Sequence, residues 1–298
     1  MTPLRSWMLH YARRHLTCAP RTAQYQPNTA HRAPNTALVA KRSLTLALTF
    51  AIACTPEPVQ WTKLSTDAPT AFTAPAYVIP VNLKLPSTAC PNSLAVAQMS
   101  ATEQHATWWQ ADSLGKAQLA LARTSDAGVS WSIRPLAESR ARANVPCSYP
   151  PPAIAADSAT GYVHLVYFLQ PTEGAGLWYT HSMDRGRSWH AATALIFGDA
   201  PARSSIAADG WLLAIAYEAP YAPSRQIWLT LSRDAGHTFE RGLSVTQGSM
   251  LAVNPRVLLD SRSISVIWTE RSQNAVTERI VTRDGVVSID VNPSRASH

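Results

Sequence analysis

The chain has 298 residues, ten of them Trp, enough for one large β-rich domain or two small ones. Its formal charge of +7 raises nucleic acid as a partner, but residues 1–53 hold seven Lys/Arg and no Asp or Glu. The remainder is balanced at 19 basic and 19 acidic residues, which leaves no electrostatic footprint for a polyanion.

Residues 1–38 are rich in Arg, Thr and Pro and lack apolar periodicity. They sit oddly ahead of a signal-like segment, and a translation start near Leu38 or Val39 would place Cys18 outside the protein. A disordered or organelle-targeting leader is the alternative. The signal-like segment is "KRSLTLALTFAIAC": two positive charges, an apolar run from Leu44 to Ile52, then Ala53 and Cys54. That run is too short to span a bilayer, which takes about 20 residues. It matches the apolar core of a secretory signal. Ala53 before Cys54 resembles the lipobox of bacterial lipoproteins, although Ala51 stands where Leu is usual. The resemblance implies removal of residues 1–53, lipidation of Cys54 and a membrane anchor facing the periplasm or cell surface. A plain secretory signal is the alternative.

Residues 54–91 read as a tether and N-terminal strands. "VQWTKL" and "AYVIPVNLKL" form either a degenerate blade or a strand that closes a ring against the last repeat. Cys90 and Cys147 are the two cysteines left in an exported chain, and one disulfide between them is expected. Free buried thiols are the alternative. No CxxC is present, and His164 and His190 fall singly on strand-like segments, so neither a metal nor another cofactor is expected.

Residues 92–298 repeat. "TSDAGVSW" (Thr124 to Trp131), "HSMDRGRSW" (His181 to Trp189) and "LSRDAGHTF" (Leu231 to Phe239) are near copies, and "VTRDGVVSI" around Asp284 is a degenerate fourth. Their aspartates, Asp126, Asp184, Asp234 and Asp284, are spaced 58, 50 and 50 residues apart. A second motif, ending at Asp157, Asp209 and Asp260, keeps spacings of 52 and 51. Two motifs in one period indicate tandem units. Each unit reads as four strands; in one they run roughly 153–157, 162–169, 176–182 and 189–197. The fold class is therefore all-β, a β-propeller with four recognisable blades and room for a degenerate fifth.

The repeated stretch resembles the Asp-box, or BNR repeat, of sialidase-like propellers, over roughly residues 92–291. The resemblance implies a hairpin between the third and fourth strands of each blade. Asp126, Asp184 and Asp234 would accept turn hydrogen bonds. Gly128, Gly186 and Gly236 would take positive φ, and Trp131, Trp189 and Phe239 would pack beneath the turn. On this reading the box is a fold staple, not a catalytic site. Sialidases of this family are similar to six-bladed rings and bind a carboxylate with three arginines, the first in a Phe/Tyr-Arg-Ile-Pro motif. No Arg lies between Cys54 and Leu121, and the nearest echo, "SIRPL" around Arg134, follows a box.

Candidate ligand residues lie on the face opposite the boxes. They are Arg203 and Arg256, read as equivalent positions 53 residues apart, with Glu218, Glu270, Arg271, Tyr149 and Tyr221. Converging arginines suit a carboxylate. The bland reading makes Glu218 and Glu270 solvated strand ends. The expectation is an exported, lipid-anchored module that binds a glycan or an envelope protein. A divergent sialidase-type exo-glycosidase is the alternative, and a purely structural envelope protein a third possibility.

Overall fold

The computed structural model describes residues 57–66, 80–136, 146–221, 225–247, 250–272 and 278–288. Cys18, the signal-like segment and Cys54 lie outside them. No helix among the described residues is long and apolar enough to cross a membrane.

The described residues form four four-stranded antiparallel sheets. The N-terminal strand β1 (Val59–Ser65) belongs to the last of them. The first blade comprises β2 (Ala95–Gln98), β3 (Gln104–Ala111), β4 (Ala117–Thr124) and β5 (Ser132–Pro135). The second has β6 (Ala153–Ala156), β7 (Val163–Leu169), β8 (Gly176–Ser182) and β9 (Thr193–Phe197). The third has β10 (Ser204–Asp209), β11 (Leu212–Glu218), β12 (Ile227–Ser232) and β13 (Leu243–Ser244). The fourth has β14 (Leu251–Asp260), β15 (Ser263–Arg271) and β16 (Glu278–Val287), with β1 paired to β16 as its outermost strand. First strands of successive blades lie side by side, β2 by β6, β6 by β10 and β10 by β14. This is a propeller arrangement of up-and-down blades, and no fifth sheet occurs among the described residues.

Burial follows position in the blade. The middle strands β7 and β8 are buried at every residue, because blades cover both their faces. Their sequences, "VHLVYFL" and "GLWYTHS", accordingly lack polar alternation. Outer β9 is exposed or half-buried throughout. One apolar cluster runs across the first three blades, from Trp109 through Tyr167 and Phe168 to Ile215. A second joins the third and fourth blades through Leu229, Val266 and Trp268. Leu83 and Leu85 pack on Trp108 against the outer face of the first blade. Cys90 and Cys147 form a disulfide that ties this covering segment to the chain entering β6.

Three of the repeated stretches form the same turn. In each, the Asp carboxylate accepts the amide and hydroxyl of the Ser or Thr four residues on: Ser130 on Asp126, Ser188 on Asp184, Thr238 on Asp234. The residue two before the Asp (Thr124, Ser182 or Ser232) donates its hydroxyl to the carboxylate and accepts the Gly amide. Ala127, Arg185 and Ala235 precede the glycines with φ of 57, 59 and 53°, so two consecutive residues are left-handed in every copy. Their amides bond the carbonyls of Thr102, Gly161 and Trp211, joining this turn to the one between the first and second strands.

The fourth copy is a correction. Asp284 makes no turn; it lies inside β16, exposed, opposite Lys63 and Ser265, and accepts the Ser265 hydroxyl at 2.6 Å. The reason is topological. The fourth blade takes its outer strand from β1, so the chain has no need to double back at Asp284. Gly285 persists because a Cβ there would lie 2.8 Å from Val59 and 3.0 Å from Trp61.

Two of the aspartates at the ends of first strands join neighbouring blades. Asp157 accepts the Gly210 amide of the next blade at 2.9 Å, and Asp209 accepts the Ser261 amide of the blade after. Both bonds span about one period of the repeat, 53 and 52 residues.

Candidate functional site

The face opposite the repeated turns carries two cavities. The larger, about 910 Å³, is bounded by β2, β6, β10 and β14 and continues over one face of the fourth blade at Ile267, Trp268, Thr269 and Ile280. Its walls are mostly aliphatic. Its polar contributors are Arg203, Arg256, Ser204, Ser205, Asn254 and Thr269. No Asp, Glu, His or Tyr stands among the described residues that line it. The smaller cavity, about 360 Å³, lies beside the disulfide, between Cys90, Tyr149, Pro150 and Pro201, with Arg203 and Arg225 at its edge. Arg203 and Pro151 line both, so the two spaces meet there.

Arg203 is exposed, and its guanidinium has no hydrogen-bond or ion-pair partner among the described residues. Its backbone holds the Glu218 region instead: Arg203 carbonyl accepts the Glu218 amide, and its own amide donates to Glu218 Oε2. Arg256 lies within β14 opposite Ile267 and is half-buried. The two arginines are not equivalent. Counted back from Asp209 and Asp260, Arg203 matches Asn254, and Arg256 matches Ser205. A register shift between Val253 and Arg256, with Asn254 at φ 56°, lies just ahead of Arg256. Both nevertheless line the larger cavity.

The other candidates separate. Glu218 is 1% exposed, no solvated strand end: it accepts Arg225 Nη1 at 2.8 Å and the Asn254 amide at 2.9 Å, bridging the third and fourth blades. Glu270, also buried, takes two donors from Arg279 and the Trp268 indole N–H. These partners offset the cost of burying each acid and occupy its carboxylate, so neither acid is open to a ligand. Arg271 pairs with Glu278 at 2.6 Å and lines neither cavity. Tyr149 is buried against Trp109, ring centroids 4.8 Å apart. Tyr221 is half-exposed beside Trp228 at 6.0 Å, outside both cavities.

The histidines do not stand singly. His164, His181, His190 and His237 converge at the seam of the second and third blades, on the side of the repeated turns. His181 stacks on His190 at 4.6 Å and meets His237 edge-on at 5.1 Å. The Tyr179 hydroxyl lies 2.8 Å from His164 Nδ1. Desolvation lowers the His164 pKa to about 3 and that of His181 to about 4, while it raises Tyr179. The phenol therefore stays protonated and donates to a neutral imidazole. Strand spacing hid this cluster, because its members come from β7, β8 and two turns. No group of three or more His, Cys, Asp or Glu placed to hold a metal occurs among the described residues.

No protein-family model and no curated protein matches the sequence. Among solved structures, the chain is similar to a Hadza microbial sialidase, with 14% identity over 64% of this chain and 44% of that one and a TM-score of 0.46. It is similar to Trypanosoma rangeli sialidase, at 11% identity over 61% and 29% and a TM-score of 0.45. A GH43 endo-arabinanase from Bacillus licheniformis gives 12% identity over 63% and 71%, with a TM-score of 0.38. The chain spans less than half the length of the two sialidases.

Proposed function

We propose that the protein is an exported, lipid-anchored binding module, and that its larger cavity takes a carboxylate-bearing glycan or protein partner at the cell envelope. Arg203 carries this reading: an unpaired guanidinium where two cavities meet, beside an aliphatic wall that suits the apolar face of a ligand. A binding role fits the lining better than hydrolysis does. A retaining glycosidase needs two groups flanking one bond, and the acids of this face are engaged in buried pairs. The anchor rests on the sequence up to Cys54. The test is a glycan-array screen of the protein beside a fluorogenic sialoside assay. The expected result is binding of acidic glycans without turnover, weakened by ~1.5–3 kcal/mol in Arg203→Ala at unchanged melting temperature. Turnover of the sialoside would instead support a sialidase-type enzyme.

A further inference from the structure

A third cavity lies on the opposite side, in the seam between the first and second blades, and it bears on a different ligand. It measures about 200 Å³ and is walled by β3, β4 and β5 of the first blade and by the Asp184 turn of the second. Its chemistry is one-sided. Arg123, Arg134 and Arg187 all line it, with Ser132, His105 and Trp189, and no carboxylate does.

An acid close by is already taken. Glu103 is 5% exposed; Oε1 accepts Arg123 Nε and Nη2 at 2.8 Å each, and Oε2 accepts Arg185 Nε at 2.8 Å. Arg134 reaches across the seam and donates Nη1 and Nη2 to the carbonyls of Arg187 and Gly186, leaving its Nε–H. The Arg187 guanidinium is exposed and without a partner among the described residues. The Trp189 Nε1–H is buried with no acceptor. A buried donor left unmet costs about 1–3 kcal/mol, and the Trp189 side chain lines a space large enough for a guest. Donors of this density without a matching acceptor describe an anion site.

We propose that this seam binds a tetrahedral oxyanion, a sulfate or phosphate either free or as a monoester, with Arg187, Arg134 Nε and the Trp189 indole N–H as its donors. The oxyanion supplies acceptors in several directions at once, which a single planar carboxylate supplies less well. Such a guest would also cross-link the first two blades on their turn side. The site shares Ile154 with the larger Arg203 cavity but none of its donors with either, and it does not rest on the function proposed for them.

The experiment is a sulfate titration of the full chain, followed through the indole N–H resonances of the tryptophans, with Trp189 assigned from Trp189→Phe. Chloride at matched ionic strength is the control. The expected result is a saturable shift of the Trp189 resonance with sulfate and none with chloride. Sulfate affinity, read by calorimetry, should drop tenfold or more in Arg187→Ala, a surface change, and in Trp189→Phe, which keeps the ring and loses the donor. A sulfated monosaccharide that binds more tightly than inorganic sulfate marks an ester as the source; the reverse order marks the free anion. Sulfate acting no differently from chloride, or both variants binding like the parent, would overturn the proposal.

Discussion

A side chain at position 236 would have to stand where the Tyr179 hydroxyl already is. Gly236 belongs to the turn of the third blade, and Tyr179 to the third strand of the second. A Cβ at 236 overlaps the phenol oxygen and comes within 2.6 Å of its Cζ. The same lock recurs one blade earlier, where a Cβ at Gly186 would meet His105 Cε1 at 2.9 Å. The glycine of the repeated stretch thus serves twice, once for its left-handed backbone and once as a socket for the preceding blade.

Gly236→Ala should therefore destabilise by ~2–5 kcal/mol, combining a φ of 90° with overpacking. Tyr179→Phe removes the hydroxyl and should relieve part of that cost, beyond its own loss of the bond to His164. Denaturant unfolding of both single mutants and the double mutant measures it. A coupling of about 1 kcal/mol or more is expected; strict additivity would mean the strain is purely local.

The turn aspartates should divide by topology and not by sequence likeness. Asp184 accepts two donors from Ser188 and one from Ser182, and these hold its pKa down against the opposing effect of desolvation. Asp184→Ala should cost ~1–3 kcal/mol. Asp284→Ala loses one exposed bond to Ser265 and should stay within about 0.5 kcal/mol of the parent. Comparable losses at both positions, measured by thermal unfolding, would contradict the assignment of Asp284 to a plain strand.

The signal-like segment predicts the mature N-terminus. Residues 1–53 should be missing from the protein recovered from its native host, with Cys54 acylated. Intact mass after detergent extraction decides it, and a chain that begins upstream of Lys41 without lipid contradicts the anchor.

The blades were legible because their evidence is periodic. Strands rich in Val, Ile and aromatic residues, and turns fixed by Asp and Gly, survive as patterns along the chain. Asp284 misled because "DGVVS" keeps the letters of the turn, while the partner that removes the turn, β1, lies more than 200 residues earlier. The candidate site was less readable. Arg203 and Arg256 do reach one cavity, but they stand six and four residues ahead of their strand-end aspartates, so they are not equivalent positions. Glu218 and Glu270 looked solvated because nothing local announces Arg225, Arg279 or the Asn254 amide as partners. The histidine cluster and the three-arginine seam are assembled across blades, and contacts between repeats leave no trace in the spacing within one.

The histidines set the response to acid. His164, His181 and His105 are buried, and desolvation, the leading cause for each, lowers their pKa values to about 3, 4 and 4. His164 and His181 face His190, His237, Tyr162, Tyr179, Asp157 and Asp234, whose two carboxylates favour protonation but do not outweigh burial and the neighbouring imidazoles. His105 sits beside Glu103, with Arg123 and Arg185 offsetting that acid. In the unfolded chain each histidine titrates near 6.5. Between that value and about 4 the unfolded state binds more protons than the folded one, so stability falls as pH falls. Above about 6.5 these groups contribute no slope. Each should remove about 1.4 kcal/mol per pH unit inside the window, or about 2 kcal/mol between pH 6.5 and 5. The turn aspartates act lower, since their pKa values are depressed from an ordinary 3.8. Urea unfolding at pH 7.5, 6.5 and 5 reads the effect. His181→Gln should flatten the slope below pH 6.5 by one histidine's share, whatever it does to stability at pH 7.5. An unchanged slope in that variant, or a parent equally stable at pH 6.5 and 5, would show that the cluster takes up protons without opening the seam.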